Sequence, residues 1–178
     1  GLVILFDLWN IDMNYVNEDN FSRASAVKTP FTANGIDEEI MKDKSSFRIY
    51  ESYRGFVNGR SSYFHNSISG YHAAKPKRMQ DIYDFYLSKN KFNVLSMLNV
   101  KYIVDLNENN ALGLRLNEEN LGNAWFIENI INVNNSNEEI LFLDDLDYSR
   151  DCLSKDLPNK KFTLSEADNI VLTSRKSN

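Results

Sequence analysis

Apolar positions along this chain change their period several times, and each change marks an element. Leu2-Val3-Ile4-Leu5-Phe6 is an unbroken apolar run, stopped by Asp7 and followed by Leu8 and Trp9. It reads either as a buried strand or first turns of a core helix, or as the end of a membrane helix with Trp9 at the interface, where indoles collect. Asp37, Glu38 and Glu39 open a short helix over residues 36–42, since negative charge favours a helix N-terminus. Phe47-Arg48-Ile49-Tyr50 alternates as a strand. Met79, Ile82, Tyr83 and Tyr86 fall at i, i+3, i+4 and i+7, which predicts a helix over residues 77–88 with that stripe facing the core. A shorter helix over 92–98 precedes a strand over 101–105. Residues 123–133 carry another strand, Trp125-Phe126-Ile127 then Ile130-Ile131, and 137–145 read as a helix with Glu138 and Glu139 in its first turn.

Near the C-terminal end, Phe162-Thr163-Leu164 and Ile170-Val171-Leu172-Thr173 read as a hairpin around residues 165–169. Its open edge expects further strands. Asparagine-rich residues 107–110 and 132–137 read as loops. Strands and helices interleave irregularly, so the expected class is α+β: a mixed or antiparallel sheet with a few short helices packed on it. The expected organisation is an apolar membrane-proximal segment over residues 1–9 and one domain over 10–178, with a subdivision near 134.

Composition narrows the functional classes. The chain has 178 residues, and 20 basic against 25 acidic side chains give a net charge of −5. That balance argues against a nucleic-acid partner, which needs clustered basic residues to neutralise phosphates. The one local basic knot is Lys75, Lys77 and Arg78. Cys152 stands alone, which excludes an internal disulfide and a Cys-rich zinc site. No apolar run approaches the roughly 18 residues of a membrane span.

Chemistry-bearing residues concentrate in residues 61–75, which hold Tyr63, Tyr71, Lys75 and both histidines, His65 and His72, with Arg78 and Asp81 just beyond. A metal site is disfavoured because the histidines are seven apart and lack a third ligand; no metal or other cofactor is expected. Ser67-Ile68-Ser69-Gly70 lacks the glycine pattern of a nucleophile elbow, so no catalytic residue is assigned. Two readings of the stretch stay open. The side chains are hydrogen-bonded in a turn before the 77–88 helix, Gly70 supplying its backbone angle, or they line a groove for sugar or peptide, where aromatic faces stack and His or Lys reaches polar groups.

Ser62-Tyr63-Phe64-His65-Asn66-Ser67-Ile68-Ser69-Gly70-Tyr71-His72-Ala73-Ala74-Lys75 resembles a motif of the YfhO-like membrane proteins, large polytopic proteins common in Bacteroidetes. Four further blocks resemble that family in order: Asp7-Leu8-Trp9 with Tyr15-Val16-Asn17, Phe47-Arg48-Ile49, residues 94–102, and Gly122-Asn123-Ala124-Trp125-Phe126. Ser69 stands where the family has glycine, and the likeness weakens after residue 134. The resemblance implies an extracytoplasmic domain of a GT-C-related protein in the cytoplasmic membrane, one that works with lipid-linked sugar donors in cell-envelope glycan assembly. The catalytic acid of such enzymes lies in an early loop outside this chain, so the resemblance implies a binding or structural role here. Partners would be the membrane part of the same polypeptide and an envelope glycan or polyprenyl-phosphate-linked sugar. Tyr63, His65, Tyr71, His72, Lys75 and Arg78 are the candidate ligand-binding residues, with Gly70 as a structural turn. The competing expectation is a purely structural interaction module, in which Tyr63, Phe64 and Tyr71 are core.

Overall fold

The computed structural model describes residues 1–16, 18–165, 168–171 and 173. The chain divides into two compact units, Gly1–Thr32 and Ala33–Asn178, where the sequence placed its boundary after Trp9. The first unit carries helix α1 (Leu2–Tyr15) and helix α2 (Ala24–Lys28), and neither buries a residue. The apolar run is therefore helical but contributes to no core. Leu2, Ile4, Phe6 and Trp9 are all exposed. No helix among the described residues is long and apolar enough to cross a membrane.

In the second unit, helix α3 (Gly35–Ile40) starts at Asn34, whose side chain accepts from the Asp37 amide at 2.9 Å while Asp37 accepts from the Asn34 amide at 2.8 Å. This reciprocal box satisfies two amides that a helix start leaves free. Strand β1 (Arg48–Glu51) follows, then helix α4 (Arg60–Phe64), helix α5 (Lys77–Phe85), strand β2 (Val100–Leu106) and strand β3 (Leu112–Leu116). β1 pairs parallel with β2, and β2 pairs antiparallel with β3 through a turn built on Asn107 to Asn110. The long crossover that a parallel pair requires carries α4 and α5.

Residues of this sheet are divided between its faces by the two-residue period of a strand. Tyr50 and Ile103 join one core with Phe56, Ile82, Tyr86 and Leu95. Ile49 and Val104 join another with Ile40 and Phe47. Both faces are covered, which is why Tyr102-Ile103-Val104 reads as a continuous apolar run rather than an alternation. Burial pushes the Tyr50 phenol up to about 12. The α5 stripe faces the core as its spacing predicts, with Ile82 and Tyr86 buried and Met79 and Tyr83 packed beside them.

A second sheet has strand β4 (Asn129–Asn132) at its centre, with strand β5 (Asp151–Ser154) parallel and the two-residue strand β6 (Lys160–Lys161) antiparallel. Helix α6 (Ser136–Phe142) connects β4 to β5 and is capped by Asn135, which accepts from the amides of Asn137 and Glu138. Helices with two open, mixed three-stranded sheets make the fold α+β.

Three sequence expectations are corrected. Residues 92–98 form only a 3-10 turn at Asn93–Leu95, tight enough to bury Val94 and Leu95. Trp125 to Ile127 are not strand: their backbone joins no ladder, and the Trp125 indole donates to the Tyr148 carbonyl. Phe162 to Leu164 are irregular as well, the pairing with β4 ending at Lys161. Of the expected hairpin's remaining residues, Ser165, Asp168, Asn169, Ile170, Val171 and Thr173 are not strand, whereas Glu166, Ala167 and Leu172 lie outside the described residues.

Candidate functional site

The motif at residues 62–75 begins in α4 and then touches the first sheet at residues 66–68. Ile49 donates to the Asn66 carbonyl at 2.8 Å and Ile68 donates to the Ile49 carbonyl at 3.1 Å, so residues 66–68 flank β1 on the side away from β2. Gly70 is not in a turn, as the sequence suggested. It does supply a backbone angle that other residues rarely adopt, φ +157°, its amide donating to the Phe56 carbonyl, and the chain turns three residues later at Ala73 and Ala74. Gly55 is the position where missing bulk matters most: at φ +58°, a Cβ there would lie 2.8 Å from the Tyr83 hydroxyl.

The six candidate residues do not converge on one site. His65 faces inward, its Nε2 lying 3.1 Å from Asp37 Oδ1 with the side chain 5% exposed. Arg60 clamps the same Asp37 carboxylate with both terminal nitrogens and reaches Glu51 Oε1 at 3.5 Å. Asn58 donates to the other Glu51 oxygen at 2.8 Å. Burial pushes the Asp37 carboxyl up, but hydrogen bonds from Arg60, the Asn34 amide and His65, with the Arg60 charge, more than offset it and hold it below the ordinary range. Arg60 is raised in turn, first by its bond to Asp37. The sequence reading overlooked this cluster. Its one local trace is the Asn34 and Asp37 spacing of a capping box; Glu51 and Arg60 join it only through the fold.

Tyr63 is about half exposed and lines a shallow depression of about 380 Å³ with His65, Phe47 and Asp43. There Asp43 is paired with Lys101 at 2.5 Å and accepts from the Tyr102 hydroxyl at 3.0 Å, and the Lys101 bond chiefly depresses its pKa. Tyr71, His72 and Lys75 share a different cavity of about 300 Å³, floored by Phe56 and Ser69. Tyr71 is 80% exposed. His72 Nδ1 accepts from the Ala74 amide at 3.1 Å, which turns Nε2 into the nitrogen available to a ligand. Lys75 lies over the Phe56 ring at 4.9 Å from its centroid and donates to Gln80 at 3.4 Å. Ser69 is buried, and its Oγ has no hydrogen-bond partner among the described residues. A buried hydroxyl left unpaired is costly unless something else completes it.

Arg78 lies elsewhere again, paired with Glu139 of α6 at 3.0 Å on the rim of a further cavity of about 590 Å³. No group of three or more His, Cys, Asp or Glu suited to a metal ion occurs among the described residues. No protein-family model matches the chain, and no curated protein or solved structure is significantly similar to it.

Proposed function

We propose that this chain is an extracytoplasmic accessory domain of a GT-C-related, YfhO-like membrane glycosyltransferase in cell-envelope glycan assembly, located at the cytoplasmic membrane. It binds a glycan or polyprenyl-phosphate-linked sugar through Tyr71, His72 and Lys75 and leaves group transfer to the membrane part of the protein. The observation that carries the binding role is Ser69 Oγ, an unpaired buried hydroxyl lining the cavity that Tyr71, His72 and Lys75 also line. A sugar ring stacked on Tyr71 would place its hydroxyls toward Ser69 and His72, and Lys75 would meet a phosphate. The exposed apolar length of α1 supports a place beside an apolar phase or partner.

Calorimetric titration with farnesyl phosphate and with envelope oligosaccharides tests the reading. Binding is expected to weaken by about tenfold in Tyr71→Ala, the upper end of an aromatic face contact. Lys75→Gln should weaken only the phosphate ligand. No binding of either class, or binding untouched by both substitutions, overturns the proposal.

The structural-module reading keeps one observation in its favour, the buried Asp37, Glu51, Arg60 and His65 cluster, which ties α3, β1 and α4 together. Against it, Tyr63 and Tyr71 are exposed and Phe64 is only half-buried, where a scaffold role requires all three inside.

A further inference from the structure

The 590 Å³ cavity lies among α5, α6, β5 and the segment around Trp125, apart from the Tyr71 depression. Its volume is within the range of small-molecule sites. The walls are apolar, with Ile82, Met97, Leu98, Ile140 and Leu153 among them. Its two large aromatics have already spent their polar ends on the protein. Trp125 Nε1 donates to the Tyr148 carbonyl at 3.0 Å, and the Tyr148 hydroxyl donates to the Leu143 carbonyl. What they have left for the cavity is ring surface.

Charge at this cavity is unbalanced. Arg78 is the one cation among the lining residues, against Asp81, Glu139 and Asp151. Glu139 is matched by Arg78 at 3.0 Å. Asp151 accepts from the Asn129 side-chain amide at 2.7 Å and also acts on Arg150, which does not line the cavity. The half-buried Asp81 carboxylate makes no hydrogen bond or ion pair among the described residues. Three carboxylates against one guanidinium, with Asp81 unpaired among the described residues, therefore leave net negative charge beside an apolar, aromatic-walled space, a combination that favours a cationic head on an apolar body and repels an anionic one.

We propose that this cavity binds amphipathic cations, the apolar body among Ile82, Leu98, Trp125 and Ile140 and the positive head beside Asp81 and Asp151. The site is independent of the Tyr71 depression, which takes the opposite charge. Each proposal can therefore fail without the other.

The chain supplies its own reporter, because Cys152 is its single cysteine and lines the cavity as an exposed free thiol. Labelling of Cys152 by N-ethylmaleimide is followed at increasing octyltrimethylammonium, octyl sulfate or octanol, each below its micellar concentration, with circular dichroism confirming that the fold persists. The cation is expected to protect the thiol saturably, at a concentration about tenfold below that needed by the sulfate, the ratio that one unpaired nearby carboxylate can readily supply. Asp81→Asn should shrink the difference and leave protection by octanol unchanged. Absence of protection by any of the three overturns the site. Equal protection by cation and anion, or protection by octanol alone, overturns the charge selectivity and with it the proposal.

Discussion

The two sheets of the Ala33–Asn178 unit use polar groups in opposite ways. Around β1 and β2, charge is buried: Asp37 and Glu51 are among the least exposed of the described residues, yet each is matched by Arg60, with His65 beside Asp37 and both Asn58 and Arg54 beside Glu51. Around β4 and β5 the strands bury none of their residues, charge stays at the rim, and the interior is left partly open. Buried ions are tolerated where each has a partner and cost several kcal/mol where one is removed. Apolar space can be left unfilled at lower cost where the surrounding strands are short and half-exposed. The first region thus reads as fastening and the second as a receptacle.

Breaking the fastening should have the largest effect. Arg60→Met takes the bidentate partner from buried Asp37 and leaves Glu51 with only the longer Arg54 pair at 3.8 Å, and is expected to cost about 3–5 kcal/mol in urea unfolding; a loss under about 1 kcal/mol would remove the distinction between the halves. Next come paired truncations on the two sheets. Ile103→Ala should cost about 2–5 kcal/mol, the range for emptying a closed core. Ile131→Ala, on a half-buried strand, should cost about 1 kcal/mol. Similar losses at the two sites would mean that the second sheet is as closely packed as the first.

Acid should sharpen the contrast further. Asp37 has its folded pKa below its unfolded one, so its contribution is full above the ordinary aspartate range, near about pH 4, and is lost as pH falls through the folded value. Stability of Asp37→Asn, followed by urea titration at successive pH values, should fall less steeply on acidification than that of the parent. An unchanged slope would show that Asp37 gains nothing from its partners. The smallest effect is expected at the cavity rim, where Arg78→Met removes an exposed pair with Glu139 and should cost about 0–1 kcal/mol.

How much of this was legible beforehand depends on whether a residue's neighbours are near in sequence. The α5 stripe, the β1 and β2 runs and the asparagine-rich turn at 107–110 were readable because their signals lie within a few residues, whereas the expected loop over 132–137 takes in the end of β4 and the start of α6. Individual asparagines have a physical role: Asn34 and Asn135 cap helices, and Asn90, Asn99 and Asn110 adopt positive φ, which asparagine tolerates better than most residues. β3 and β5 went unseen. Gly113 and Arg115 break the apolar run of the one, and the other is too short and polar to stand out. Within the candidate motif the residue types were visible and their directions were not. His65 and His72 are seven residues apart, and one faces a buried aspartate while the other faces solvent.

The sequence by itself determined the α+β class, the faces of the main helix and central strands, and the stretch where aromatic and basic residues gather. These follow from periodicity, capping and turn preference, which act over a few residues. Only the tertiary structure decided that Arg60 and His65 close on Asp37 beside Glu51, that Tyr71, His72 and Lys75 share a cavity with an unpaired Ser69, and that Asp81, Trp125 and Cys152 line another. Those groupings join side chains from separate elements, set by which faces pack together once the crossover from β1 to β2 has closed, and no local pattern in the chain records that.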